Sequence, residues 1–181
     1  VDDKRNITEV GLQLAKLPLD PRVGRMILAA KRESCLKEIL IIASVLSIQD
    51  PRERPMDKRE AADNAHSKFS GEGSDFMSFL KLWGWFDDAL KNKVSNKELL
   101  GQCHANFLSF LRLKEWRELH SQLLDIVEEM EFKLNDKEAN YEQIHKSLLA
   151  GLLGNIGFKD GESDSYLGAR GIRFHVAPGS S

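Results

Sequence analysis

Residues 36–48 form a run in which nearly every side of a helix would be apolar. A helix with one polar face can lie on a protein surface, but a helix that is apolar all round must be covered on every side. The run is too short to span a bilayer, which needs about 20 apolar residues. We therefore expect a buried central helix, capped by Ser34, around which the rest of the chain folds as a helical bundle.

The rest of the sequence supplies helices for such a bundle. Asp20 and Pro21 are typical of a helix start, as a capping carboxylate and a proline in the first turn. Capping residues and apolar spacing predict the other helices. These lie at residues 8–17, 57–69 (capped by Asp57), from Ser74 or Asp75 through Phe86, 97–113, 116–134 after a turn near Lys114, and 138–153.

The last part of the chain changes character. Ser165–Leu167 and Ile172–Val176 predict two strands joined through residues 168–171. An isolated hairpin is marginally stable in water, so we expect this one to begin a β domain. The chain starts at Val1 without a methionine and stops just after the second strand, which predicts a fragment of a larger protein.

Few residues suggest catalysis. The sequence has no G-x-x-x-x-G-K-[ST] loop to hold nucleotide phosphates. Cys103 and His104 are a candidate nucleophile pair, but neighbours on a helix point about 100° apart and do not face each other. We expect Cys103 in the core and His104 at the surface. Cys35 and the remaining histidines show no metal-ligand spacing, so we expect no metal site.

The charge is divided along the chain. A formal net charge of −2 in 181 residues argues against binding nucleic acid by overall charge alone. However, bases predominate between Arg22 and Arg59, whereas acids predominate between Asp125 and Glu142. A basic face can position a phosphate backbone, although an ordinary solvated surface would have the same composition. Trp83 and Trp116 are expected in the core, with Trp85 as the candidate for stacking on a base.

Four stretches, in this order, resemble the helicase-associated region of DEAH-box RNA helicases. They are LPLDPRVGRM (17–26), ASVLSIQDPRERP (43–55), SDFMSFL (74–80) and QCHANFL (102–108). The bacterial HrpA-type branch is the best match, because QDPRERP (49–55) and RLKEW (112–116) resemble its versions of these motifs.

The resemblance implies a mainly α fold in three parts. Residues 1–20 would end a winged-helix domain, 21–150 would form a ratchet-like helical bundle, and 151–181 would open a truncated OB-like fold. The parent protein would be an ATP-dependent RNA helicase that uses ATP and Mg²⁺ and moves 3′ to 5′ along a single strand. Its nucleotide motifs would lie in two RecA-like domains upstream, so this chain alone would need no cofactor and would be inactive.

The resemblance also implies partners and contacts. The bundle would form the wall of the RNA channel opposite the RecA-like domains, with DNA or an RNA–DNA hybrid left open as other strands. We expect a cytoplasmic protein with no membrane partner. The candidate RNA-binding residues are Arg52, Arg54, Lys58 and Arg59 around the proline-bounded loop, Asn106 and Arg112 on one helix spanning 102–112, and Asp75, which is otherwise a helix cap.

Two other classes of protein remain open on the residues alone. One is a helical protein-interaction module that presents Trp85 and Phe86 to a partner. The other is a small enzyme that uses Cys103 and His104, which would require a reactive thiol.

Overall fold

The computed structural model describes residues 20–71 and 73–152 and three short strands beyond them. The helices are α1 (Pro21–Glu33), α2 (Leu36–Leu46), α3 (Arg59–Ser67), α4 (Asp75–Lys91), α5 (Asn96–Ala105), α6 (Phe110–Glu129) and α7 (Tyr141–Leu152). The predicted mainly helical fold is confirmed. The predicted helix at 8–17 lies outside the described residues, as does the proposed winged-helix remnant apart from Asp20.

The strands are β1 (Phe158–Lys159), β2 (Ser165–Leu167) and β3 (Arg173–His175), which form an antiparallel sheet in that order. The first predicted strand matches β2, and β3 falls inside the second predicted strand. β1 was not predicted, because a two-residue strand carries no alternation that a sequence pattern could show. The rest of the proposed OB-like fold lies outside the described residues.

Helix α1 begins as its sequence predicts. The Asp20 carboxylate accepts a hydrogen bond from the backbone N–H of Arg22, and Pro21 occupies the first turn. The hydrogen bonds from Arg22, strongest from its side chain, lower the pKa of Asp20 to about 2. α1 buries Val23, Met26, Ile27 and Ala30, which is the stripe that its apolar spacing predicts.

Helix α2 is the buried central helix, and it ends at Leu46, two residues before the predicted boundary. The prediction that Ser34 caps it is wrong. Ser34 instead ends α1 with a φ of 55°, and α2 starts after Cys35 without a side-chain cap. No helix in the described part of the chain, α2 included, is both long and apolar enough to cross a bilayer.

The prediction of one helix over 97–113 with a turn near Lys114 is also wrong. The chain breaks between α5 and α6, where Phe107 takes a φ of 51°. The N–H of Leu108 then bonds to the carbonyl of Cys103 at 2.9 Å, and Ser109 caps α6. Lys114 lies inside α6. Asn106 and Arg112 therefore lie on either side of a helix break and not on one helix.

Smaller differences occur at two helix starts, and a third start confirms one of its two predicted caps. Helix α3 starts after Lys58 and not after Asp57. Helix α7 starts at Tyr141, three residues after the predicted start. At α4, the Ser74 hydroxyl accepts from the N–H of Phe76, so Ser74 is the cap.

The helices share two apolar cores. The first lies between α1, α2, α7 and the C-terminal half of α6. The second lies between α4, α5, the N-terminal half of α6 and the C-terminal half of α2. Because α2 and α6 contribute side chains to both cores, these two helices hold the halves of the bundle together.

Candidate nucleic-acid interface

The loop after α2 is paired with the break between α5 and α6. Arg52 and Leu108 form an antiparallel bridge. On either side of it, the Glu53 N–H donates to the carbonyl of Phe107 at 2.7 Å, and the Ser109 N–H donates to the carbonyl of Pro51 at 2.8 Å. This short pairing brings together two segments that are more than fifty residues apart in sequence.

Arg52 is held by two carboxylates and an aromatic ring. Its Nη2 lies 2.8 Å and its Nε 3.1 Å from the carboxylate of Asp50, and its Nη1 lies 3.2 Å from Oδ1 of Asp75. The guanidinium lies over the ring of Phe79, 4.5 Å from its centroid. Burial lowers the pKa of Arg52, but the hydrogen bonds and ion pairs with both carboxylates outweigh burial and raise it. Arg52 is therefore always charged and largely neutralised.

Arg112 and Asn106 lie beside the same loop. Arg112 Nη1 donates to the backbone carbonyl of Asp50 at 3.0 Å. The Asn106 side chain donates to the carbonyl of Gln102 at 2.6 Å, and its oxygen accepts from the Lys68 ammonium. Arg112 thus fixes the loop, and Asn106 links α5 to the end of α3.

Arg54, Lys58 and Arg59 lie on the side of the loop that leads into α3. Arg54 forms a 2.5 Å ion pair with Asp63 of α3, and about half of each side chain is exposed. Lys58 and Arg59 are exposed and form no side-chain hydrogen bond or ion pair with any other described residue. These two cations are available to an external anion.

A groove of about 460 Å³ runs between the loop, α3 and the start of α4. The charged residues that line it are Asp50, Arg52, Arg54, Asp63 and Asp75. Three carboxylates and two guanidinium groups are therefore mixed in its lining, so the groove is not a strong anion trap. Such a surface suits weak contacts that form and break easily.

Of the seven predicted site residues, three line this groove, namely Arg52, Arg54 and Asp75, and Arg112 contacts the backbone of the loop beside it. Asn106 contacts Lys68 at the end of α3, and Lys58 and Arg59 lie at the start of α3; these residues are not part of the groove lining. The sequence reasoning missed Asp50, Asp63 and Phe79, which hold the two arginines. The contact between Asp50 and Arg52 could have been predicted, because the two residues are only two positions apart in sequence. No sequence signal indicated that Phe79 packs against Arg52.

The structure excludes a Cys103–His104 nucleophile. Cys103 is fully buried, burial raises its pKa to about 11, and His104 is exposed. Among the described residues no group of three or more His, Cys, Asp or Glu is placed to hold a metal ion.

Trp85 and Phe86 do not form the exposed aromatic surface that a protein-interaction module would present to a partner. Phe86 is only 1% exposed, and Trp85 is half-buried against Phe69. Trp116 is fully buried, which confirms its predicted place in the core. Trp83 packs against it, with 5.0 Å between the ring centroids.

Comparisons with known proteins agree with this fold. Residues 20–79 match the family model of the ratchet-like helicase-associated domain (HA2). Over 98% of its length the chain is 46% identical to an ATP-dependent RNA helicase HrpA homolog of Haemophilus influenzae, and over 96% it is 44% identical to the ATP-dependent RNA helicase HrpA of Escherichia coli. An ATP-dependent RNA helicase of Drosophila melanogaster is 30% identical over 98% of the chain.

The chain spans 14%, 13% and 24% of the length of these three relatives, respectively. The matches to the helicases extend past the family model to nearly the whole chain, through the groove and α7. The chain is therefore a homologue of one segment of the HrpA-type DEAH-box RNA helicases, and its residues 20–79 belong to their ratchet-like helicase-associated domain.

Proposed function

We propose that this chain is the helicase-associated part of an ATP-dependent DEAH-box RNA helicase and forms one wall of its single-stranded RNA channel. The relatives are named as ATP-dependent RNA helicases, which supports ATP and Mg²⁺ as cofactors of the whole protein. Both would bind in RecA-like domains elsewhere in that protein. The proposed domain bounds are 1–20, 21–150 and 151–181.

One observation carries the proposal for the RNA contact. The pairing of residues 51–53 with 107–109 brings two arginines of the loop, Arg52 and Arg54, close to Arg112 of α6 beside one groove. Proteins that bind single strands without sequence preference line a groove with such bases and track the backbone. The pairing also stiffens the loop, so the bases keep their spacing as a strand moves past.

The mixed charge of the groove fits a moving strand. A wall that held RNA tightly would stop translocation, whereas a wall with no contact would let the strand slide back. Arg54 is paired with Asp63 at the surface, where exposed ion pairs contribute only about 0–1 kcal/mol. A phosphate can therefore replace the carboxylate at small cost while the RecA-like domains open and close and drive the strand 3′ to 5′.

The test is fluorescence anisotropy of a labelled single-stranded RNA at about 50 and about 200 mM salt. We would compare the unchanged chain with the triple variant Arg54→Ala, Lys58→Ala, Arg59→Ala. We expect the variant to bind more weakly at low salt and to lose about 0.7 of the salt slope for each phosphate contact removed. An unlabelled DNA of the same sequence, added as a competitor, tests the DNA alternative.

A matched control removes the same charge elsewhere. Lys37, Lys133 and Lys137 are exposed and lie near the opposite end of α2, about 16 Å from its C-terminus by helix rise. Their triple alanine variant should bind RNA as the unchanged chain does. An equal loss of RNA affinity in both variants would show a general effect of charge and would contradict an RNA site at this groove. If the isolated chain binds too weakly to compare, RNA-stimulated ATP hydrolysis of the full-length helicase decides between the two variants.

A further inference from the structure

The geometry of Arg52 leaves one part of its guanidinium for an outside ligand. The edge formed by Nε and Nη2 is occupied by Asp50, and one face lies on Phe79. The remaining nitrogen, Nη1, makes one polar contact with the residues that the structure describes, at 3.2 Å from the carboxylate of Asp75. The Arg52 side chain is 22% exposed, whereas the Asp75 side chain is 72% exposed. Asp75 therefore approaches Arg52 from the solvent side.

The two carboxylates bind Arg52 with different strengths. Asp50 makes several contacts with the guanidinium and also accepts from the Arg52 backbone N–H at 2.8 Å. Asp75 makes one long contact from an exposed position, and such pairs contribute little. Arg52 should thus keep its position when Asp75 leaves, because Asp50 and Phe79 still hold it.

We propose that the Asp75 carboxylate occupies the position of an RNA phosphate, so that Asp75 is an internal competitor at a phosphate subsite on Arg52. This inference rests on the proposed function and specifies how the site is regulated. A phosphate oxygen, like a carboxylate oxygen, is a strong acceptor for a guanidinium N–H. RNA then enters by displacing Asp75, and Asp75 returns when the strand advances.

The local charge favours this exchange. Asp50, Arg52 and Arg112 together carry one net positive charge, and Asp75 cancels it. When a phosphate replaces Asp75 at Nη1, the same balance is restored by the RNA. If Asp75 instead accepted a hydrogen bond from the RNA, removing its charge would weaken RNA binding. The competitor role predicts that removing its charge strengthens RNA binding.

The experiment compares Asp75→Asn with Asp87→Asn in the same RNA titration. Asp87 lies on the same helix and forms a 2.6 Å ion pair with Lys91, so its variant makes the same change of charge and also releases a cation. We expect Asp75→Asn to bind RNA on the order of two- to five-fold more tightly at low salt. Its salt slope should be steeper by about 0.7, while Asp87→Asn matches the unchanged chain.

A double variant tests whether the expected gain in RNA affinity depends on Arg52. In an Arg52→Gln background, whose fold is checked by thermal melting, Asp75→Asn should no longer tighten binding. The inference is overturned if Asp75→Asn weakens binding, if both Asp variants tighten it equally, or if the gain survives without Arg52. The proposed function is judged separately, because it requires the Arg54, Lys58, Arg59 variant to lose binding whatever Asp75 does.

Discussion

At the scale of single residues, Trp116 joins α6 to the central helix. Its indole N–H donates to the carbonyl of Ile41 at 2.9 Å and lies 3.0 Å from the Ser44 hydroxyl, and the side chain is fully buried. We expect Trp116→Phe to lower the free energy of unfolding by about 1–3 kcal/mol, because buried polar atoms lose their donor. Urea unfolding measures this loss. Trp85→Phe, at a half-buried position, should cost less than about 1 kcal/mol.

Both thiols should be inert in the folded protein. Burial raises the pKa of Cys103 to about 11, and burial also raises the pKa of Cys35 despite its contact with Ser147. Since the thiolate is the nucleophile, the raised pKa leaves little reactive Cys103 near pH 8. We expect both cysteines to react with a thiol reagent in denaturant and neither in buffer. Rapid labelling of the native chain would contradict this and would reopen the Cys103–His104 reading.

At the scale of helices, four ends share one backbone geometry. A residue one or two positions after each helix has a positive φ although it is not glycine: Ser34, Lys93, Phe107 and Glu131. The N–H that follows each of them bonds to the carbonyl five residues earlier, as Val94 does to Ala89 at 3.0 Å. Glycine is the usual residue at this position, because a Cβ makes the left-handed conformation costly.

Lys93→Gly should therefore stabilise the chain. Lys93 is exposed, with a φ of 55°. Relief of the left-handed strain is worth roughly 1–2 kcal/mol, and the extra freedom of glycine in the unfolded chain cancels roughly 0.5–1 kcal/mol of it. We expect a net gain of about 0.5–1 kcal/mol in urea unfolding. Lys93→Ala, which keeps the Cβ, should show no such gain; equal gains would assign the effect to the lost charge.

These helix ends also explain what the sequence could predict. Asp20 and Pro21 mark the start of α1 and Ser74 marks the start of α4, since capping is a local interaction. The break at Phe107 was missed because no glycine or proline marks it. Composition predicted an excess of bases between Arg22 and Arg59, but three acids and two bases line the groove. The pairing of Arg52 with Asp75 depends on contacts between distant segments. A sum of charges along the chain cannot show which of them neutralise each other.

At the scale of the whole molecule, the contact between α1 and α7 depends on Gly151. A Cβ at this position would lie 2.5 Å from the carbonyl oxygen of Arg22 and from Cγ of Met26. We expect Gly151→Ala to destabilise the chain by about 1–3 kcal/mol, because the two helices must move apart. Gly84→Ala is the matched control, since nothing lies within 4 Å of a Cβ there. It should stabilise α4 by about 0.5–1 kcal/mol.

The same variant tests whether the two cores unfold together. Gly151 packs on the first core through Met26, whereas all three tryptophans lie in or against the second core. If α2 and α6 couple the cores, Gly151→Ala should shift the unfolding midpoint equally by tryptophan fluorescence and by far-UV circular dichroism. If the cores unfold separately, the fluorescence midpoint should not move.

Coupled unfolding bears on the proposed RNA wall. The 50–55 loop leaves the C-terminus of α2, and its partner segment leads into α6, so the groove rests on the two helices that both cores share. A force on the strand would then be carried by the whole bundle and not by one half. If the cores unfold separately, the second core alone supports the groove. The Gly151→Ala variant would then bind RNA as the unchanged chain does, even at temperatures where its first core has already melted.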